Sequence, residues 1–345
     1  MNPFNASATV SAAQPFSRLL VILITLLRIL VAILLVYGVT CASPAIATSS
    51  TKPVKLVVGF GAGGAMDIIA RAIATQLSEK LQRPVYVENK VGAGGAIAAA
   101  YVTKSRTDGN TLLLASPAEI FINQLFNPSL RRNGVDQLVP VARISEMPIV
   151  LVTNQESQIQ QVTDIRQAAH NNPKGISFAS SGIGSSHHLA GEIFKHSLGV
   201  ELIHVPYSGG ASATASLLAQ QVDLLFAGIA PIASHIHNEK LRPLAIASGQ
   251  RSHLLPNVPT LQELGLKGFH PLYWQGLFLP QGTPAELATF WSQVVEDLLQ
   301  DPALVHKLED MGFSIAYQER TDFMAFLHAE KRNYQHATKI ADLTN

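Results

Sequence analysis

Lys55–Ala74 reads KLVVGFGAGGAMDIIARAIA. The apolar run Leu56–Val58 meets a glycine cluster, and a pattern of helical period follows, with Ile69, Ile73, Leu77 and Leu81 spaced four apart. Strand, glycine turn and helix in that order open an α/β unit. Gly59, Gly61 and Gly64 also spell G-x-G-x-x-G, the dinucleotide fingerprint, in the strand–turn–helix setting it requires. Glu88 then ends the next apolar run, where a ribose ligand would stand. The stretch leaves two readings open, a nicotinamide site or a cradle for another anion.

The same alternation continues outward. Val85–Glu88 reads as a strand, Ala96–Lys104 as an alanine-rich helix, and GNTLLLAS as a strand ending at Ser116. A second series starts near Pro148: PIVLVTN, a helix capped by Thr163, GISFASSG, a helix from about Ser186, VELIHVPYSGG, ASATASLLAQQ, VDLLFAG and LRPLAIAS. Strands alternating with helices predict an α/β fold with largely parallel sheets. After LYWQGLFLP the chain becomes mostly helical. Thr283-Pro284-Ala285-Glu286 reads as a capping box, Asp301-Pro302 opens a helix stopped by Gly312, and Thr321 opens a last amphipathic helix. The 345 residues suit two α/β lobes.

Residues 1–47 carry Arg18 and Arg28 and no acidic residue. The apolar run ILVAILLVYGV follows, and Ala45-Ile46-Ala47 supplies an A-x-A site. That order predicts a secretory signal peptide. An uncleaved anchor would place Arg28 inside the bilayer, and lipidation at Cys41 would follow the unsuitable Thr40. Cys41 is the one cysteine, so a chain cut after Ala47 has no disulfide, thiolate nucleophile or cysteine-held metal. Losing both arginines turns the net charge of +1 into −1, and charged residues make up only 14% of the chain, so nothing suggests nucleic acid.

Three glycine- or serine-rich turns each follow a strand and open a helix: Gly59–Asp67, Ser180–His188 and Tyr207–Ser212. Helix N-termini present unpaired N–H groups and about half a positive charge. Glycine lets backbone approach a ligand, and serine adds a neutral hydroxyl. Converging on one cleft, such turns hold a small anion without arginine.

The motifs FGAGGAMDIIAR, RPVYVENKVGAGGAIAAAYVTKSRTDGNTLL, FASSGIGSSHHLAGEIF, HVPYSGGASA, QVDLLFAG, VPTLQELGLKGF and GTPAEL, in one order from about Lys52 to the last helix, resemble the Bug family. These are the extracytoplasmic solute receptors of tripartite tricarboxylate transporters. The resemblance implies a type II periplasmic binding protein fold, an α/β architecture of two lobes with a hinge and a ligand cleft between them. Residues 48–147 would form the first part of lobe 1 and 148–273 lobe 2. Residues 274–345 would return to lobe 1, with crossings near Met147 and Tyr273. It also implies a periplasmic monomer without cofactor, metal or catalytic activity. Such a receptor closes on a small carboxylate and delivers it to membrane permease subunits.

Carried over, the ligand loops fall on Gly63, Gly64, Ala65, Met66 and Asp67; on Ser180, Ser181, Gly184, Ser185 and Ser186; and on Tyr207, Ser208 and Gly209. Ser116 and Ala118 fall beside them. Gly61 and Ala62 stand where the family usually has prolines, so the dinucleotide fingerprint is incidental on this reading. Met66 replaces a usual threonine, and Ala227 a frequent aspartate, which argues against an amino-acid ligand.

Other chemistries fit less well. No G-x-S-x-G elbow or H-E-x-x-H spacing occurs, and His187 and His188 read as first-turn helix residues rather than metal ligands. Asp67 is expected to complement its helix N-terminus rather than touch a carboxylate, which it would repel. Tyr207 and Trp274 are candidate cleft walls, Trp274 equally a hinge residue. The alternatives to a transport receptor are an exported sensor without a transport partner and a dinucleotide-binding oxidoreductase.

Overall fold

A computed structural model describes residues 26–28, 52–127, 137–172, 174–266 and 273–340. Residues 26–28 are helical and belong to a unit separate from Lys52–Asn345. The rest of the N-terminal segment read as a signal peptide, including Cys41 and Ala45–Ala47, lies outside the described residues. Among those described, no helix is long and apolar enough to cross a membrane.

Strands β1 (Val54–Val58), β2 (Val85–Asn89) and β3 (Thr111–Ala115) alternate with helices α1 (Ala65–Leu81) and α2 (Ala96–Thr103). A π-helical turn, Ala118–Ile122, runs into the short α3 (Asn123–Phe126). Strand β4 (Leu138–Met147) ends one residue before β5 (Ile149–Asn154). Next come α4 (Val162–Asn171), β6 (Ile176–Ser180), α5 (Ser186–Leu198), β7 (Leu202–Pro206), α6 (Gly210–Leu218), β8 (Leu224–Gly228), α7 (Ala233–His237) and β9 (Leu241–Ile246). The chain closes with β10 (Tyr273–Pro280), α8 (Ala285–Leu298), α9 (Pro302–Asp310), β11 (Ser314–Gln318) and α10 (Arg320–Ile340).

Two sheets result. One has the order β11-β4-β10-β3-β1-β2 and the other β7-β6-β8-β5-β9. In each, three parallel strands are followed by an antiparallel one that has just arrived from the other lobe: β10 in the first sheet, β5 in the second. The sequence shows no matching repeat, yet the topology is the same twice over, as the type II binding-protein arrangement requires. The inner parallel strands β1 and β8 carry apolar runs because both their faces are covered, whereas the outer strands β2 and β7 are mixed and partly exposed. Leu56, Val57 and Val58 of β1 are buried, as are Leu224 to Gly228 of β8.

The two lobe-crossing segments lie side by side. Met147 at the end of β4 pairs with Tyr273 at the start of β10, and both are buried. Buried Gln275 joins the strands further, accepting from Ser145 Oγ at 2.7 Å and donating to the Tyr273 carbonyl.

Local signals were met unevenly. Ile69, Ile73 and Leu77 form the buried face of α1. Asp301 caps α9, accepting from Ala303 N, with Pro302 at the first position. Thr163 is not the cap of α4: Gln161 is, in a reciprocal capping box with Asp164. Thr283 does not form a capping box either. Its hydroxyl donates to the Pro280 carbonyl at 2.7 Å, closing the turn after β10, and α8 starts behind Pro284 without a side-chain cap.

Candidate functional site

The carboxyl ends of β1, β6 and β7 bring the three glycine turns together, where open α/β sheets place ligands. Gly61 N–H donates to the Ser208 carbonyl across the lobes at 3.2 Å. Gly64, the N-cap of α1, faces Gly210 at the start of α6: a Cβ built on Gly64 would stand 3.5 Å from Gly210 N. Gly209 sits at φ +152 against Gly61, a conformation and a spacing that only glycine satisfies. The positive ends of two helices, one from each lobe, thus meet through backbone alone. Between these turns is a cavity of about 230 Å³, lined by Gly59, Phe60 and Val91–Gly94 of lobe 1 and by Ser181–Ile183 and Pro206–Ser208 of lobe 2.

The first loop is braced by Asp67. One carboxylate oxygen accepts Gly63 N–H at 2.9 Å and Arg71 Nε at 2.8 Å; the other accepts Asn89 Nδ2 at 2.9 Å. Burial pushes this carboxyl up, but the bonds from Arg71, Gly63 and Asn89 outweigh it and hold it below its ordinary value. Asn89 also donates to the Phe60 carbonyl, so one amide fixes both ends of the loop. Ala65 and Met66 turn their side chains into the core. What they can offer a ligand is first-turn N–H groups, which lie outside the intrahelical ladder.

In the second loop, Ser185 caps α5 by accepting His188 N–H. Ser180 and Ser181 bond to His204 Nε2 at 2.7 Å and to His187 Nδ1 at 2.6 Å. Gly184, at φ +78, packs against Asn123 of lobe 1. Ser186 is buried and its hydroxyl has no partner. In the third loop the Tyr207 hydroxyl bonds to Ser216 of its own helix. Ala227 is buried in β8 opposite Val150, and the next residue, Gly228, packs against Met147, Ala65 and Tyr273.

Ser116 and Ala118 are fully buried at the end of β3. Ser116 donates both its N–H, at 2.9 Å, and its hydroxyl, at 2.6 Å, to Glu119 Oε2. Glu119, which sequence reasoning passed over, is buried with Oε1 unpartnered. Burial pushes its carboxyl up to about 7. His187 Nε2 is likewise unpartnered, and burial pushes that imidazole down to about 4. Glu119 could have been noticed as a lone acid in the apolar stretch SPAEIFI.

Trp274 does not wall the cleft. It is buried among Phe121, Phe278, Phe323 and Phe326. Glu88, the would-be ribose ligand, is ion-paired with Lys55 at 2.7 Å and Lys90 at 2.6 Å. Among the described residues no group of three or more His, Cys, Asp or Glu could hold a metal. A larger cavity of about 660 Å³ lies on lobe 1 between Phe121, Leu138 and Leu327. Its lining residues include no glycine turn or paired helix ends.

Comparison with known proteins gives the family and the fold. The model of the tripartite tricarboxylate transporter family receptor matches residues 69–341. Protein BugT of Bordetella pertussis is 32% identical over 287 residues, covering 81% of this chain and 88% of BugT. The structure of R. palustris Rpa4515 with adipate superposes with a TM-score of 0.80 at 30% identity, covering 85% of this chain and 98% of that one. MatC from Rhodopseudomonas palustris with bound malate gives 0.76 at 27% identity, covering 85% and 99%.

Proposed function

Because the chain belongs to the tripartite tricarboxylate transporter receptor family, we propose that it captures a small carboxylate between its lobes in the periplasm and presents it to a membrane permease. The observation that carries this reading is the meeting of the α1 and α6 N-termini through Gly64 and Gly210. Two half-charges of one sign, from opposite lobes and without an intervening side chain, favour an anion between them. Adipate and malate, bound by the two solved relatives, are both small carboxylates. Capture is hinged: the Met147–Tyr273 pair is the pivot, and closure brings Gly61 onto Ser208.

A thermal-shift screen against small carboxylates, amino acids and nicotinamide cofactors tests it. Ligand at ~100 times its dissociation constant adds ~2.7 kcal/mol of stability. A shift confined to carboxylates is expected; a shift with a cofactor alone would overturn the reading. Gly64→Val supplies the control. Gly64 has ordinary φ and ψ of −78 and 167, so valine is tolerated by the local backbone but stands between the two helix ends. That variant should fold and fail to bind.

A further inference from the structure

Three buried polar atoms near the cleft are without a partner: Glu119 Oε1 from lobe 1, and Ser186 Oγ and His187 Nε2 from lobe 2. A buried polar atom left bare costs free energy, and a group is expected to satisfy it. The residues carrying these atoms are at most 4% exposed.

They belong to one neighbourhood. Gly184, two residues before Ser186, packs onto Asn123, which follows the π-turn holding Glu119. The His187 ring lies 4.9 Å from that of Tyr273. Tyr273 is pushed up first by burial and then by the charge of Glu119. Glu119 Oε1 rests against Gly59 and Gly95, within 2.7 and 2.6 Å of a Cβ built on either. Gly59 and Ser181 both line the cleft cavity, and Ser181 is the residue that holds His187. Glu119 and His187 therefore stand directly behind Gly59 and Ser181, which line that cavity from opposite lobes.

Charge decides what can occupy such a place. No cation contributes to the state of Glu119, and burial is the one cause acting on His187. A second carboxylate could be met here only while Glu119 keeps its proton, because no charged group stands among the three, whereas a hydroxyl suits either state of that acid. An alkyl group would leave all three atoms bare. A hydroxyl donates once and accepts twice: it can give its proton to Glu119 Oε1 and accept from Ser186 or His187.

We propose that Glu119, Ser186 and His187 form a second pole of the cleft that receives a ligand hydroxyl, so that the protein selects 2-hydroxycarboxylates over their deoxy counterparts. This rests on the receptor reading above, with the carboxylate at the paired helix ends. An ordered water would satisfy the same atoms, and the experiment separates the two.

The purified protein is titrated calorimetrically with malate and succinate, 2-hydroxyglutarate and glutarate, lactate and propionate. In at least one pair the hydroxy acid should bind at least about tenfold tighter, since a site built to bond a hydroxyl rejects the analogue without it. Ser186→Ala and Glu119→Met should bring that ratio to about twofold while the deoxy acid keeps its affinity. Glu119→Gln, which can still bond a hydroxyl, should preserve the ratio. Ser186→Ala removes a hydroxyl bonded to nothing and provides the variant most certain to fold. Equal affinities within every pair would overturn the second pole and leave the receptor intact. A ratio unchanged in both Ser186→Ala and Glu119→Met would overturn the residue assignment. No binding by any of the six acids would overturn the second pole, while the carboxylate reading falls only if the wider thermal-shift screen also shows no carboxylate.

Discussion

The carboxylate of Asp67 accepts the main-chain N–H of Gly63 at 2.9 Å, so this acid spends its charge on the loop rather than on a ligand. Removing it leaves Gly63 N–H, the Asn89 amide and Arg71 without their acceptor. Asp67→Ala should lower unfolding free energy by ~1–3 kcal/mol, with Asp67→Asn intermediate, as read by urea denaturation. Because the folded carboxyl is depressed, its contribution is present above the unfolded value near 3.8 and is lost as pH falls through the folded one. The difference between wild type and Asp67→Asn should therefore be full at pH 7 and shrink below about pH 4.

Glu119 and the buried histidines pull stability in opposite directions with pH. Glu119 rises from 4.5 to about 7, so the folded state holds a proton the unfolded chain has released, and stability falls as pH rises between those values. His187 and His204 are pushed down by burial to about 4 and about 3 from 6.5. Their contribution is complete above 6.5 and is lost as pH falls below it. Two protons against one means a net loss on acidification from pH 6.5 to 5. Glu119→Gln, measured without ligand, should steepen that loss and raise stability at pH 7 by up to ~3 kcal/mol. A flat profile in wild type together with an unchanged one in Glu119→Gln would contradict these assignments.

Tyr207 lines the cavity but directs its hydroxyl to Ser216. Tyr207→Phe should cost about 1 kcal/mol of stability and leave carboxylate affinity within about twofold. A tenfold loss of affinity would show that the hydroxyl reaches the ligand.

Gly191 faces Phe178 inside lobe 2, where a Cβ would come within 2.1 Å of the ring. Alanine gains about 1 kcal/mol of helix propensity, but overpacking costs ~1–3 kcal/mol. Gly191→Ala should therefore be net destabilising, seen as a lowered melting temperature.

Much of this was legible in the chain. The strand–glycine–helix reading of Lys55–Ala74 corresponds to β1, its loop and α1, because the period of α1 and the breaks at Gly59–Gly64 are local properties. Asp301 opens its helix as read for the same reason. Thr163 and Thr283 misled because capping depends on where the chain enters the helix: Gln161 paired with Asp164 first, and Thr283 was taken by Pro280. Trp274 was ambiguous because strand residues alternate faces. Tyr273 looks toward His187, while its neighbour Trp274 looks into the phenylalanine cluster of lobe 1. Glu119 was missed because a lone acid in an apolar stretch is only a hint of burial, and Gly59 and Gly95, which cover it, lie far from it in sequence.

The place of β10 between β3 and β4 also sets the order in which the molecule can be built. Every strand of the second sheet lies within Ile149–Ile246, so that sheet is complete as soon as β9 has been made. The first sheet cannot close then, because β4 reaches β3 only through β10, which comes later in the chain. A chain stopped after β9 would hold one finished sheet and two unjoined parts of the other. Pairings this distant in sequence are slow to form. The first lobe should be the last to fold, with β1–β3 and β4 remaining separate pieces until β10 has been made to join them.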